Sequence, residues 1–174
     1  MSNNLEYLNE RLEMLNEQMK QQDIYSEVYL IGGFAGRILL TEFRSTFDID
    51  FILEEINDNQ KLSIFNDLMA ENNIEGVTVV EVPPLEEMEF SSKLEYSNLV
   101  VKIPTIEFYA ITKIFSDRQK DEDDLVHQKI IAACDPEKLS QLIKLYKGDI
   151  LNPDNANYNF HTLKDYLKKY NIEA

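Results

Sequence analysis

The chain of 174 residues has one cysteine, Cys134, so no disulfide can close within it. Cys134 follows Ile130-Ile131-Ala132-Ala133, an apolar helical context that reads as a buried small hydrophobe rather than a nucleophile. Histidine is almost as scarce. His127 and His161 are the only two, and neither has a second His or a Cys at ligand spacing. That argues against a zinc site and leaves no Ser-His-Asp or Cys-His arrangement. Cations are outnumbered, 17 Lys and Arg against 32 Asp and Glu, for a formal charge of −15. A surface that coats nucleic acid needs Lys and Arg to neutralise phosphates, so that class is disfavoured, though a local basic cleft is not. The acidic exterior suits a basic protein partner better. No apolar run approaches membrane-spanning length, and the first residues are polar and acidic rather than signal-like. The expectation is a cytoplasmic protein with no membrane contact. No Gly or Pro occurs before Gly32, and no internal repeat is visible.

What is present is enough for one folded domain. Hydrophobic residues make up 44% of the chain, sufficient for a core. Residues 1–22 space Leu5, Leu8, Leu12, Leu15 and Met19 by threes and fours, an amphipathic helix with a narrow apolar stripe. The stripe either packs on its own domain or meets a second copy or a protein partner as a short coiled coil. Residues 23–27 read as a connection.

The stretch from Tyr29 to Leu53 organises the rest. An apolar strand, Val28–Ile31, ends at Gly32-Gly33. A helix over Phe34–Phe43 follows, then Arg44 and Thr46, then a second apolar strand, Phe47–Leu53, with Asp48 and Asp50 set into it. Strand residues i and i+2 share a face, so both carboxylates aim at one spot while Ile49 points away. Two adjacent carboxylates repel, and burying them in a strand is costly without compensation. A hard cation with oxygen ligands, such as Mg²⁺, provides it. The alternative is that both aspartates sit at a strand end and cap backbone. The glycines allow a tight strand-to-helix turn, and the helix start beyond them offers N–H groups to an anion.

Further on, Lys61–Glu71 reads as a helix stopped by Asn72-Asn73, and Val77–Val82 as a β-branched strand stopped by Pro83-Pro84. Glu81 is the in-strand acid available as a third metal ligand. Its other reading is an exposed strand-end acid. Leu94–Ile103 is a strand or hairpin arm, and Pro104 opens a helix carrying Lys113. The charged run from Asp117 to Asp124 reads as a turn with Asp121 as helix cap. Helices over Leu125–Ala133 and Pro136–Tyr146, the latter ended by Gly148, a polar loop over Asn152–Asn159 and a helix over His161–Tyr170 complete the chain.

Gly32-Gly33, the helix, Arg44-x-Thr46 and Asp48-x-Asp50 resemble the signature of the nucleotidyltransferase superfamily. The spelling is most similar to the small bacterial AbiEii/MenT-like group, related to abortive infection and toxin–antitoxin systems. Lys113, Arg118, Lys120, Asp121, Asp124 and Leu125 resemble that group's later Lys…Arg-x-Lys-Asp-x-x-Asp segment. The resemblance implies an α/β (α+β) fold, a mixed sheet flanked by helices with a C-terminal helical segment. Residues 23–116 would form the core, with the helix of 1–22 before it and the segment 117–174 packed on it. It implies transfer of a nucleotidyl group from an NTP to tRNA, a protein or a small molecule. Asp48 and Asp50 would hold one or two Mg²⁺ ions, with Glu81 as the doubtful third ligand. Gly32, Gly33, Arg44, Thr46, Arg118 and Lys120 would bind the nucleotide, and Lys113 would reach its phosphates. Lys113 as an ordinary surface lysine is the alternative. The superfamily often carries its third acid where this chain has Val100-Val101-Lys102. That departure leaves a second expectation, a catalytically incomplete protein that acts as a binding partner or antitoxin.

Overall fold

The computed structural model describes residues 2–77, 83–152 and 154–174, with side chains from residue 5. The chain divides into two compact units, Met1–Val79 with Phe90–Pro104, and Val80–Glu89 with Thr105–Ala174.

The first unit holds all the described strands. Helix α1 (Ser2–Gln21) leads into β1 (Ser26–Ile31), α2 (Gly32–Leu39), β2 (Ile49–Ile56), α3 (Leu62–Glu71), β3 (Ile74–Val77), β4 (Phe90–Glu95) and β5 (Leu99–Pro104). The sheet runs β3-β2-β1-β5-β4. β1 is antiparallel to β2 and parallel to β5, β2 is parallel to β3, and β4–β5 form a hairpin, so the sheet is mixed. The α/β class and the helix-flanked mixed sheet expected from the sequence are therefore found.

Alternation explains the core. Val28 and Leu30 on β1, Ile49 and Phe51 on β2, and Leu99, Val101 and Ile103 on β5 are all buried and share one face of the pleat. The α1 stripe is spent on its own fold: Leu8, Leu12, Leu15 and Met19 are all 1% exposed or less. At about 1.5–3 kcal/mol per large apolar side chain, this stripe is a main reason the first unit holds together. Asn16 of α1 donates to Ser97 Oγ and accepts from Asn98 N–H (2.8 Å), fixing the helix to the β4–β5 turn.

The opposite face carries Glu27, Tyr29 and Ile31 on β1, Asp50 and Ile52 on β2, and Lys102 on β5. Lys102 lies 2.5 Å from Glu54 and 3.7 Å from Glu27, over the rings of Tyr29 and Phe90. Burial alone would lower its pKa, but the hydrogen bond and charge of Glu54 raise it.

Several boundaries move from the sequence reading. Residues 26 and 27 belong to β1 rather than to a connection. α2 begins on the Gly pair itself and stops at Leu39, so residues 40–48 are an irregular return and β2 starts only at Ile49. The strand expected at Val77–Val82 lies almost wholly outside the described residues, which include instead a short strand three residues earlier.

The second unit is helical: α4 (Ile106–Ile114), α5 (Gln119–His127), α6 (Ile130–Ala133), α7 (Pro136–Lys147), α8 (Asn159–Thr162) and α9 (Lys164–Lys168). Pro104 is the last residue of β5, and Thr105 caps α4 by accepting from Phe108 N–H. Asp121 does not cap α5. The helix begins two residues earlier, at Gln119, which puts Asp121 in its first turn. Lys129, at φ 57°, separates α5 from α6, so the expected single helix over Leu125–Ala133 is broken. Asp135 caps α7 with Pro136 at its start. Gly148 ends that helix at φ −75°, a conformation open to any residue. Leu163 likewise divides the expected final helix into α8 and α9. Cys134 is buried and its thiol pKa is pushed up by burial and by Glu107, as a small hydrophobe in a core would be. Among the described residues no helix is long and apolar enough to cross a membrane.

Candidate active site

In the first unit the candidate residues are arranged around the glycines of α2. Three of them meet the returning segment 40–50 in reverse order. Gly32 adopts φ 72°, and an added Cβ would collide with the Asp50 carboxylate. A Cβ on Gly33 would come within 2.6 Å of the Thr46 methyl group, and one on Gly36 would enter the Phe43 ring. No side chain fits at these three places without moving Asp50, Thr46 or Phe43. The glycines therefore serve close packing of the segment that carries the aspartates, and Gly32 also serves a left-handed turn.

Hydrogen bonds help to hold that segment. Arg37 of α2 donates to the Phe43 carbonyl (3.1 Å), and the Asp48 N–H donates to Thr46 Oγ1 (3.1 Å). Thr46 is 6% exposed, and its hydroxyl helps to orient Asp48. The Arg44 guanidinium lies over the Phe43 ring at 5.4 Å. Ile49 is buried, while Asp48 is exposed and Asp50 half-buried, the alternation that puts both carboxylates opposite the core. Asp50 is in β2, and Asp48 is the residue just before it.

The β2–β3 register adds a residue that the sequence reading missed. Glu75 of β3 is level with Asp50, and paired residues on neighbouring strands share a face. Its segment, Ile74-Glu75-Gly76-Val77, follows an Asn pair and contains a glycine, so it reads as a turn. The alternation from Ile74 was the only available signal. Glu81, the third acid expected, lies outside the described residues.

The second unit gathers the later motif. Lys113 is 3% exposed, and its ammonium donates to Asp121 Oδ1 and Asp124 Oδ2, both at 3.0 Å, over the Tyr109 ring at 5.3 Å. It is not a surface lysine. Ser116 Oγ donates to Asp121 Oδ2 (2.6 Å) and accepts from the Arg118 N–H (3.0 Å). The Arg118 side chain is 66% exposed, 3.8 Å from Asp121. Lys120 is exposed on the first turn of α5. Asp124 is itself buried, so the cluster sets two carboxylates against one buried ammonium. The spacing of Lys113, Asp121 and Asp124 in sequence thus becomes a salt-bridge cluster between α4 and α5.

Residues 6–173 match the model of a family described as nucleotidyltransferase of unknown function (DUF6036). The chain belongs to this nucleotidyltransferase family. No curated protein matches it. The match covers both motif regions.

A metal site in this nucleotidyltransferase can be tested against the residues present. Among the described residues, no three Asp, Glu, His or Cys side chains gather at metal-binding spacing. Mg²⁺ in nucleotide enzymes is commonly held by one or two carboxylates, with substrate phosphates and water completing its shell. Asp48 and Asp50, hard oxygen donors on one side of the chain, fit that mode.

Proposed function

We propose that the protein is a Mg²⁺-dependent nucleotidyltransferase that uses an NTP. The observation that carries the reading is the seating of Asp50 against Gly32 at the head of α2, with Asp48 beside it. Such an arrangement sets carboxylates next to the N–H groups of a helix start, one for a metal and the other for phosphate oxygens. Asp48 and Asp50 would hold Mg²⁺, which when bound supplies charge neutralisation and acidifies an attacking hydroxyl. Gly32 and Gly33 present backbone N–H groups to the triphosphate. Arg44 neutralises its charge, and Thr46 keeps Asp48 oriented. The acceptor oxygen bonds to the α-phosphorus, the bond to pyrophosphate breaks, and the hydroxyl proton is lost to water. Glu75 is level with Asp50 on the neighbouring strand, but it does not gather with the two aspartates at metal-binding spacing, so the ion in this reading is held by Asp48 and Asp50 with phosphate and water. Lys113, Arg118 and Lys120 of the second unit are assigned to phosphate, as the family resemblance implies.

The acceptor in this proposal is a hydroxyl on tRNA, a protein or a small molecule, in a toxin–antitoxin or phage-defence setting in the cytoplasm. A protein partner would meet the acidic outer face of α1, whose apolar stripe is already covered. A second reading, a nucleotidyltransferase fold that binds without transferring, is favoured by the Lys113 ammonium being tied to two aspartates. Incubation with α-labelled NTPs, Mg²⁺ and a cell extract separates the two. Label appearing on an acceptor with release of pyrophosphate, and lost in Asp50→Asn, supports transfer. Bound but untransferred NTP supports the second reading.

A further inference from the structure

We propose that Asn159 is a positioning residue for Lys113. The inference rests on the reading of Lys113 as a functional lysine, and nothing in the motif pattern points to Asn159. Two carbonyls at the end of α4 and just past it are met from far along the chain: that of Lys113, which also accepts from the Ser116 N–H (3.2 Å), and that of Ser116, two residues beyond the helix. Asn159 Nδ2 donates to the Lys113 carbonyl (2.8 Å), and the Asn159 N–H donates to the Ser116 carbonyl (2.9 Å). The side chains of those same two residues, Lys113 and Ser116, both bind Asp121. Asn159 therefore grips by the backbone the short segment whose side chains form the ion cluster.

The same stretch also grips α5, which supplies the carboxylates. Thr162 Oγ1 donates to Glu122 (2.8 Å), and the Tyr166 hydroxyl donates to the Val126 carbonyl (3.3 Å). Phe160 packs on Phe115 with ring centres 5.1 Å apart, so apolar contact already anchors the stretch. A buried amide costs desolvation unless it is hydrogen-bonded, so the Asn159 side chain is held to the carbonyl it meets. Asn159 is 1% exposed, and its amide is spent on the Lys113 carbonyl. A lysine has a long flexible stem. Its two simultaneous contacts at 3.0 Å persist best when its helix is held against α5, because a fixed backbone limits the alternatives open to the stem. Asn159 supplies that hold.

The test is hydrogen exchange of the Lys113 ammonium, followed by NMR in the full chain with ¹⁵N-labelled lysine and assigned through Lys113→Arg. Asn159→Ala should speed that exchange by roughly tenfold, the change in an equilibrium constant that one lost hydrogen bond makes. Asn159→Asp keeps the size but loses the donor, and should behave alike. It serves as the second variant should the alanine form fail to fold. Leu167→Ala removes a fully buried side chain of α9 without touching the α4 carbonyls. It should lower the melting temperature and leave the Lys113 exchange as in wild type. Unchanged exchange in a folded Asn159 variant, or an equal change in Leu167→Ala, would overturn the assignment. A parallel titration of the wild type with Mg²⁺ and ATP keeps the two readings apart. Absent binding there would remove the functional role of Lys113, while the exchange result alone decides the positioning role.

Discussion

The Asp50 carboxylate occupies the space that a side chain on Gly32 would need. These residues lie on different elements, β2 and α2, and each limits the other. Gly32 can turn at φ 72° because it has no Cβ, and Asp50 can approach the helix start for the same reason. The pairing links the two halves of the signature physically: the glycines define where the acid sits.

Gly32→Ala should therefore do two things at once. It strains a left-handed backbone at about 1–3 kcal/mol and pushes Asp50 away. Chemical denaturation should show the loss. Gly148→Ala, at φ −75° with its nearest neighbour at 3.7 Å, should be neutral or slightly stabilising.

Removal of one charge from the Lys113 cluster should be severe. Lys113→Met leaves Asp124 buried without its counter-ion, and breaking a buried pair costs about 3–5 kcal/mol. Lys113→Met/Asp124→Leu should lose less than Lys113→Met alone, since Asp121 retains Ser116 and the nearby Arg118. Urea titrations of the single and double variants form the cycle.

Cys134 should resist modification. Its thiol is buried and its pKa raised, so the thiolate is scarce even at about pH 8. A disulfide reagent should label it negligibly in the native protein and fully in denaturant. Fast native labelling would contradict its place in the core.

The Lys102–Glu54 pair gives a pH signature. The folded-state pKa of Lys102 is raised, so its contribution is complete below its ordinary value of 10.5 and fades as pH rises through the folded value. Glu54→Gln should cost about 1–2 kcal/mol at neutral pH. The difference from wild type should begin to shrink above pH 10.5 and close as the pH passes the raised folded-state value, where Lys102 loses its proton in the folded protein. Denaturation of both proteins across that range checks the sign.

The arrangement of the candidate site was legible where residue type alone carried the physics. Asp48 and Asp50 around a core-facing Ile49 announce their alternation, and Gly32-Gly33 announces a turn. The α1 stripe was equally plain, because its spacing is helical, and Leu8, Leu12, Leu15 and Met19 are all buried. What could not be read depended on partners distant in sequence. That Thr46 packs against Gly33 and accepts from the Asp48 N–H is set by the fold and not by its place in the motif. Asp121 resembles a helix cap until Lys113 and Ser116 claim its oxygens. Glu75 hides in a strand of four residues that only its pairing with β2 defines. Asn159 looks like the end of a polar loop, and its role exists only through carbonyls more than forty residues earlier.

The most direct test is calorimetric titration of the wild type and Asp48→Ala/Asp50→Ala with NTPs, with and without Mg²⁺. The account predicts NTP binding by the wild type that requires Mg²⁺ and disappears in the folded double variant. Binding that is indifferent to Mg²⁺, or that survives loss of both aspartates, would contradict it.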